Sequence, residues 1–223
     1  VDGSIKKRLI VVTPPIFYYV FTTIAVHILQ NFAKICILCT EMTKHKEKLT
    51  PRKTLQMAAG KRLLKGEIMS IRVLFVCHGN ICRSTMAQFV FQHLVNEQHL
   101  TDQFHIDSRA TSTEEIGNQP HHGTARKLRE VGIPVLPHRA TQITWQDYQE
   151  ADYIIGMDEW NMKNLHRMLK GDPDGKVYKL LEFAGSHRDI ADPWYTGNFD
   201  VTYDDVLEGC TAFLKYLREN KEI

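Results

Sequence analysis

A cysteine and an arginine separated by five residues form the segment with the clearest chemical potential, the run from Cys77 to Ser84. A loop of this length can wrap a tetrahedral oxyanion, with backbone N–H groups pointing inward and the positive end of a following helix nearby. Such surroundings stabilise a thiolate and make it a nucleophile. Arg83 can hold two phosphoryl oxygens with its planar guanidinium. The spacing therefore predicts a nucleophilic cysteine in a phosphate-binding loop.

The remaining positions of this loop suit the same chemistry. Gly79 permits a tight backbone path, and Asn80 tolerates a left-handed conformation while its amide braces the loop. The hydroxyl of Ser84 can donate to the thiolate and help Cys77 leave in a second reaction step. We expect the phosphoryl group to be bound by the loop residues that follow the nucleophile: His78, Gly79, Asn80, Ile81, Cys82 and Ser84.

Apolar periodicity predicts the elements that hold this loop in place. Strands are expected over 71–76, 104–110, 153–157 and 177–181. Helices are expected over 84–99, 122–131, 144–150, 159–169 and 200–218. The last helix would bury a face made of Val201, Val206, Leu207, Cys210, Phe213, Leu214 and Leu217. This alternation predicts an α/β three-layer sandwich, a four-stranded parallel sheet with helices on both faces. Chemistry in such folds takes place at the carboxyl ends of the strands, where Cys77 follows the first strand.

Beyond these inferences, residues 69–223 resemble the low-molecular-weight protein tyrosine phosphatases. The resemblance includes the Cys77 loop and further motifs in the family's order: Asp107 to Ser112, Glu115 to Asn118, Gly132 to Pro134, His138 to Ala140, Met157-Asp158 and Asp192 to Tyr195. It implies hydrolysis of phosphotyrosine in proteins through a phosphocysteine intermediate, with no metal and no cofactor. It also implies that residues 69–223 are the phosphatase domain.

The resemblance assigns the acid and the walls of the site. Asp192, which precedes a proline and two aromatic residues, would protonate the leaving phenolate and later activate water, in preference to its neighbour Asp189. Trp194 and Tyr195 would flank the substrate ring. On the opposite wall the family often has an aromatic residue where this chain has Glu114. That departure predicts weaker stacking and a poorer fit for acidic substrates.

Three further residues receive supporting roles from the resemblance. Ser108 and His138 would brace the loop through Asn80. Cys82 would either form a reversible disulfide that protects Cys77 from further oxidation or simply pack beside it. Cys210, on the closing helix, is expected in the core.

Three other functions remain open. A thioredoxin-linked arsenate reductase on the same fold needs a relay of further cysteines, but none occurs between Cys82 and Cys210. A protein-arginine phosphatase often has Thr where this chain has Ile81, and the pair Trp194 and Tyr195 favours an aryl phosphate. A non-catalytic phosphotyrosine-binding module would be expected to lack the nucleophile or the acid.

Charge and cysteine content limit the partners. Residues 1–68 hold 12 Lys/Arg and 4 Asp/Glu, whereas residues 69–223 hold 16 and 22, so the basic excess lies wholly outside the predicted domain. This distribution gives no support for nucleic-acid binding. Five unevenly spaced cysteines indicate a reducing compartment, and we expect a cytoplasmic protein. The expected partners are phosphotyrosine-containing proteins, with a tyrosine kinase as a further candidate.

The first 68 residues form a basic leader with three interpretations. Residues 9–33 contain no Asp, Glu, Lys or Arg and could span a membrane, although Pro14 and Pro15 interrupt them. Residues 41–65 are polar and basic and could be a linker. Alternatively, codons for residues 65–67 would resemble a bacterial ribosome-binding site just before Met69. Translation would then begin at Met69, and the leader would be an untranslated upstream region.

Overall fold

The structure, a computed structural model, describes residues 70–223. The predicted membrane segment, linker and translation start lie outside these residues. Within them, no helix combines the length and the apolar character needed to cross a membrane. The strands are β1 (Ile71–Cys77), β2 (Phe104–Ala110), β3 (Tyr153–Gly156) and β4 (Val177–Lys179). The helices are α1 (Arg83–Glu97), α2 (His122–Glu130), α3 (Trp145–Glu150), α4 (Glu159–Met168), α5 (Pro193–Thr196) and α6 (Phe199–Glu219).

The four strands of the described region form one parallel sheet in the order β2-β1-β3-β4. Leu74 of β1 pairs with Asp107 of β2 on one side and Ile154 of β3 on the other. Because all strands run in one direction, their carboxyl ends share one edge of the sheet. Cys77 ends the central strand β1 at that edge.

Helices cover both faces of the sheet. Successive residues of β1 point to opposite faces, so this strand contributes apolar side chains to both. Phe75 packs on Phe91 of α1 with ring centroids 5.7 Å apart, and Phe91 meets Phe213 of α6 at 5.2 Å. Leu74 belongs to a second apolar cluster that includes Leu165 of α4 and residues of α3. The predicted three-layer α/β sandwich is therefore confirmed.

Element boundaries differ from the predictions at the end of β4. The strand stops at Lys179 and a 3-10 turn, Leu180–Ala184, takes up the apolar residues assigned to the strand. The short helix α5 was not predicted. It begins after Asp192, whose side chain accepts a hydrogen bond from the backbone N–H of Trp194.

The prediction that Val201 belongs to the buried face of the last helix is wrong, since Val201 is 46% exposed. The buried stripe of α6 passes through Phe199, Thr202 and Val206, one position away from Val201. Thr202 faces inward because its hydroxyl donates to the carbonyl oxygens of Asn198 and Ala191. A polar side chain therefore takes the inward position near the start of the helix, which apolar patterning alone does not reveal.

Gly209 allows α6 to lie directly against the 3-10 turn after β4. A Cβ atom at this position would sit 2.5 Å from Leu180 Cγ. We expect Gly209→Ala to lower the free energy of unfolding by about 1 to 2 kcal/mol, because the clash outweighs the gain in helix propensity. Urea unfolding measures this change. The exposed position Thr211 on the same helix is the control, and Thr211→Ala should not destabilise. An equally stable Gly209→Ala protein would contradict the close packing.

Candidate active site

The loop between β1 and α1 places Cys77 and Arg83 at its two ends. Cys77 is the last residue of β1, and Arg83 is the first residue of α1. Helix α1 has neither a side-chain cap nor an acidic residue in its first turn. Its first N–H groups and the positive end of the helix dipole are therefore available to an anion.

Asn80 is the structural centre of this loop. It has the left-handed φ of 58° and is completely buried. Its amide donates to Ser84 Oγ at 3.0 Å and to Ser108 Oγ at 2.8 Å, and its side-chain oxygen accepts from the backbone N–H of Thr141 at 3.1 Å. Its carbonyl oxygen lies 3.0 Å from His138 Nε2. The structure thus brings Ser108 and His138, the two residues to which the resemblance gives supporting roles, onto Asn80.

Ser84 connects this network to Cys77. Its Oγ lies 3.0 Å from Cys77 Sγ, and the same oxygen accepts the hydrogen bond from the Asn80 amide. Because the Asn80 NH2 group can only donate, the hydroxyl proton of Ser84 is left to point toward sulfur. Ser84 is therefore placed to stabilise a thiolate at Cys77.

Arg83 is held between two carboxylates. Nη1 pairs with Asp158 and donates to the carbonyl oxygen of Ile190 at 3.1 Å, while Nη2 lies 2.5 Å from Asp192 Oδ2. Burial lowers the pKa of Arg83, but the negative charges of Cys77, Asp192 and Asp158 outweigh burial and the net shift is upward. Nε is buried without a hydrogen-bond partner in the described part of the chain. It is a charged donor beside the nucleophile loop that suits a phosphoryl oxygen.

The two candidate acids take up different positions. Asp192 contacts Arg83, whereas the side chain of Asp189 accepts from Lys179 Nζ at 2.9 Å and from the backbone N–H of Glu159 at 3.2 Å. The structure therefore brings Asp192, and not Asp189, to the guanidinium of Arg83.

Exposed side chains form two walls around the loop. On one side Trp194 and Tyr195 are 57% and 84% exposed, and the Trp194 ring meets the His121 ring edge to face at 5.8 Å. On the other side Glu114 Oε2 lies 3.0 Å from His78 Nε2. The surroundings of the loop thus include exposed aromatic side chains after Asp192 and a carboxylate paired with the loop residue His78.

The floor of the loop is closely packed. A Cβ atom at Gly79 would lie 3.1 Å from Glu115 Cγ, so a residue with a side chain would press on Glu115. The buried Ile81 contributes its carbonyl oxygen, which accepts from the backbone N–H of His121 at 2.9 Å. The loop is thereby fixed from both sides.

The three cysteines of the described region are free and buried. Burial, followed by the charges of Cys77 and Asp192, raises the pKa of Cys82 to about 12. Cys82 is therefore a protonated thiol at neutral pH and a poor nucleophile. Burial also raises the pKa of Cys210, which lies in the core as predicted.

Two residues of the site have no predicted role, although Asp158 belongs to one of the family motifs. Asp158, which caps α4 and pairs with Arg83, lies two residues after the end of β3. Its place at the carboxyl end of a strand could have identified it. His121 has no predicted role in the site, yet its ring stacks on Phe199 at 5.2 Å and contacts Trp194. Nothing in the local sequence signals that contact.

A parallel α/β sheet with a Cys-x5-Arg loop at the end of its central strand defines a class of cysteine-based phosphate sites. Within this class, the family model for low molecular weight phosphotyrosine protein phosphatases matches residues 72–223. The chain belongs to this family, and the predicted resemblance is confirmed. Its relatives place it among the protein-tyrosine phosphatases.

Individual relatives agree with this assignment. The mouse low molecular weight phosphotyrosine protein phosphatase (Mus musculus) is 41% identical over 156 residues, which cover 67% of this chain and 97% of the relative. The crystal structure of YfkJ from Bacillus subtilis matches with a TM-score of 0.67 and 37% identity, covering 71% of this chain and 99% of that one. A Drosophila arginine phosphatase matches with a TM-score of 0.62 and 31% identity, covering 66% of this chain and 98% of that one.

Proposed function

We propose that this chain hydrolyses phosphotyrosine in proteins through a phosphocysteine intermediate. The observation that carries the proposal is the position of Arg83 at the end of the loop that follows Cys77. Asp192 lies on its guanidinium, and Nε has no hydrogen-bond partner among residues 70–223. Nucleophile, phosphate-binding group and acid thus meet at the carboxyl edge of one sheet.

In the first step the Cys77 thiolate attacks phosphorus while the bond between phosphorus and the phenolic oxygen breaks. Arg83 and the backbone N–H groups of the loop bind the three equatorial oxygens. Asp192, protonated at the start, gives its proton to the leaving oxygen. The products are free tyrosine in the substrate protein and phosphocysteine on the enzyme.

In the second step water attacks phosphorus and the bond between phosphorus and sulfur breaks. Asp192, now a carboxylate, takes the proton from the attacking water. The electron pair returns to Cys77, where the hydroxyl of Ser84 stabilises the thiolate 3.0 Å away. Inorganic phosphate leaves, and Asp192 again holds a proton for the next turnover.

The two walls determine the choice of substrate. Trp194 and Tyr195 offer exposed ring surface to the phenol of phosphotyrosine. Glu114, on the opposite wall, supplies a carboxylate in place of a ring and repels acidic residues next to the phosphotyrosine. Ser108 and His138 act through Asn80 by keeping the loop in its binding shape.

A second candidate is a protein-arginine phosphatase, which the similarity to the Drosophila arginine phosphatase favours. Ile81 and the aromatic wall support tyrosine as the better substrate. An arsenate reductase is a weaker candidate because Cys210, the nearest cysteine after Cys82 in sequence, is fully buried on α6.

The test compares kcat/KM for matched peptides that carry phosphotyrosine or phosphoarginine at the same position. We expect the phosphotyrosine peptide to be preferred by about 10-fold or more, since the aromatic wall matches only the flat ring. A preference for phosphoarginine would replace the proposal with the second candidate. If neither peptide is hydrolysed, the remaining candidate is a non-catalytic phosphotyrosine-binding module. Isothermal titration of Cys77→Ser with the phosphotyrosine peptide measures that binding.

The natural substrates in this proposal are phosphotyrosine-containing proteins, with a tyrosine kinase among the candidates. The domain responsible is residues 69–223. The free thiol at Cys77 requires a reducing compartment, and we place the protein in the cytoplasm on that ground.

A further inference from the structure

Lys179 is a buried lysine at the end of β4 that takes no direct part in the proposed reaction. Its side chain is 2% exposed, and Nζ donates to Glu159 Oε1 at 3.0 Å, to Asp189 Oδ1 at 2.9 Å and to the carbonyl oxygen of His187 at 2.6 Å. Burial lowers the pKa of Lys179, but the bonds to Asp189 and Glu159 and their charges outweigh burial. Lys179 is therefore charged at neutral pH, and all three of its N–H donors are used.

The partners of Lys179 lie next to the two carboxylates that hold Arg83. Glu159 directly follows Asp158, and Asp189 lies three residues before Asp192. Glu159 and Asp189 are also joined directly, since the backbone N–H of Glu159 donates to Asp189 Oδ1. Lys179 thus connects the start of α4 to residues 186–192, which we call the acid segment.

The acid segment contains no helix or strand, so individual bonds determine its position. Toward its end, the backbone N–H of Ile190 donates to the carbonyl oxygen of Met157 at 2.9 Å, and the carbonyl oxygen of Ile190 accepts from Arg83. On its outer side Arg188 pairs with two carboxylates of α6, but its side chain is 43% exposed and such pairs contribute only about 0 to 1 kcal/mol. On the inner side, Lys179 bonds to both His187 and Asp189 of the segment.

We propose that Lys179 is a positioning residue for the general acid, holding the acid segment so that Asp192 meets the oxygen of the leaving group. The proposal rests on the proposed role of Asp192. A displacement of about 1 Å can cost as much as 10²-fold in rate. The loss should affect proton donation and spare the attack by Cys77, because the Asn80 network fixes the nucleophile loop independently of Lys179.

The test is Lys179→Met, which keeps most of the side-chain length and removes the charge. We compare kcat/KM for phosphotyrosine, whose phenol is a poor leaving group, with that for an aryl phosphate whose strongly acidic phenol needs no proton. We expect a loss of about 10-fold or more on phosphotyrosine and of less than about 3-fold on the second substrate. The rate of Cys77 alkylation by iodoacetate and inhibition by inorganic phosphate should stay unchanged.

Lys176→Met is the matched control. Lys176 is also buried and precedes β4, but its ammonium lies over the Tyr148 ring and 3.6 Å from Asp174, away from the acid segment. Its replacement should leave both values of kcat/KM unchanged.

The double variant Lys179→Met with Asp192→Asn tests whether Lys179 acts through Asp192. If Lys179 acts through Asp192, adding Lys179→Met to Asp192→Asn should cost less than about 3-fold more on phosphotyrosine. Equal losses on both substrates with slower alkylation, or no loss on phosphotyrosine, would overturn the proposal. If Lys179→Met does not fold, Asp189→Asn must show the same selective loss, and its absence would also overturn it. Unchanged turnover in Asp192→Asn alone would instead refute the role of Asp192 in the proposed function.

Discussion

We expect Cys77→Ser to lower kcat on phosphotyrosine peptides by about 10⁴-fold or more, because an alcohol in the same place is far less nucleophilic than a thiolate. The surrounding loop does not depend on sulfur for its shape. Asn80 is held by Ser84, Ser108 and Thr141, and Arg83 is held by two carboxylates. The variant should therefore still bind inorganic phosphate and phosphotyrosine peptides. Stopped assays of phosphate release and isothermal titration measure the two properties separately.

Cys210→Ala is the control for this experiment. Cys210 is also a buried thiol, but its Sγ lies near the carbonyl oxygen of Ala87 on the packed face of α1. Its replacement should reduce stability by a modest amount and leave kcat unchanged. Undiminished hydrolysis by Cys77→Ser would remove the phosphocysteine mechanism altogether. If the mechanism holds, phosphoproteins captured by the Cys77→Ser variant would identify the natural substrates.

We expect Asp192→Asn to lower kcat/KM on phosphotyrosine by about 10² to 10⁴-fold, the usual contribution of general acid catalysis. The amide keeps the size of the side chain and can still face Arg83, but it cannot give a proton to the leaving oxygen. The loss should shrink on aryl phosphates with strongly acidic phenols.

Asp200→Asn is the matched control, since Asp200 lies at the start of α6 and pairs with Lys127 instead of Arg83. It should behave as the unmodified protein. Unchanged turnover in Asp192→Asn would mean that another residue is the general acid. Asp158 would then be the next residue to test, because it is the other carboxylate in contact with Arg83.

The sequence predicted the fold well because short-range patterns determine most of it. The apolar strand before Cys77, the helical stripe after Ser84 and the turn residues between elements all depend on neighbouring positions. The nucleophile loop was predictable for the same reason, since Cys77, Asn80 and Arg83 lie within seven residues of one another. Asp192 required the family resemblance, because its local Asp-Pro sequence is typical of any turn.

Long-range contacts could not be predicted from patterns of this kind. Asp158 meets Arg83 across 75 positions, and Lys179 finds its partners at Glu159 and Asp189. In the sequence Lys179 is one polar residue within the predicted strand 177–181, whereas its burial depends on two carboxylates that approach only in the folded chain. The inward turn of Thr202, in place of Val201, has the same origin in a distant carbonyl oxygen.

The separation of Cys77 from Asp192 also affects the protein while it is being made. A ribosome adding about 5 to 20 residues per second completes the 115 positions between them in on the order of ten seconds. During that interval the nascent chain already carries the nucleophile and Arg83 but lacks the acid segment. Fragments that stop before residue 192 would contain Cys77 and Arg83 but neither Asp192 nor helix α6. In the proposed mechanism, turnover therefore requires chains whose synthesis has passed that point.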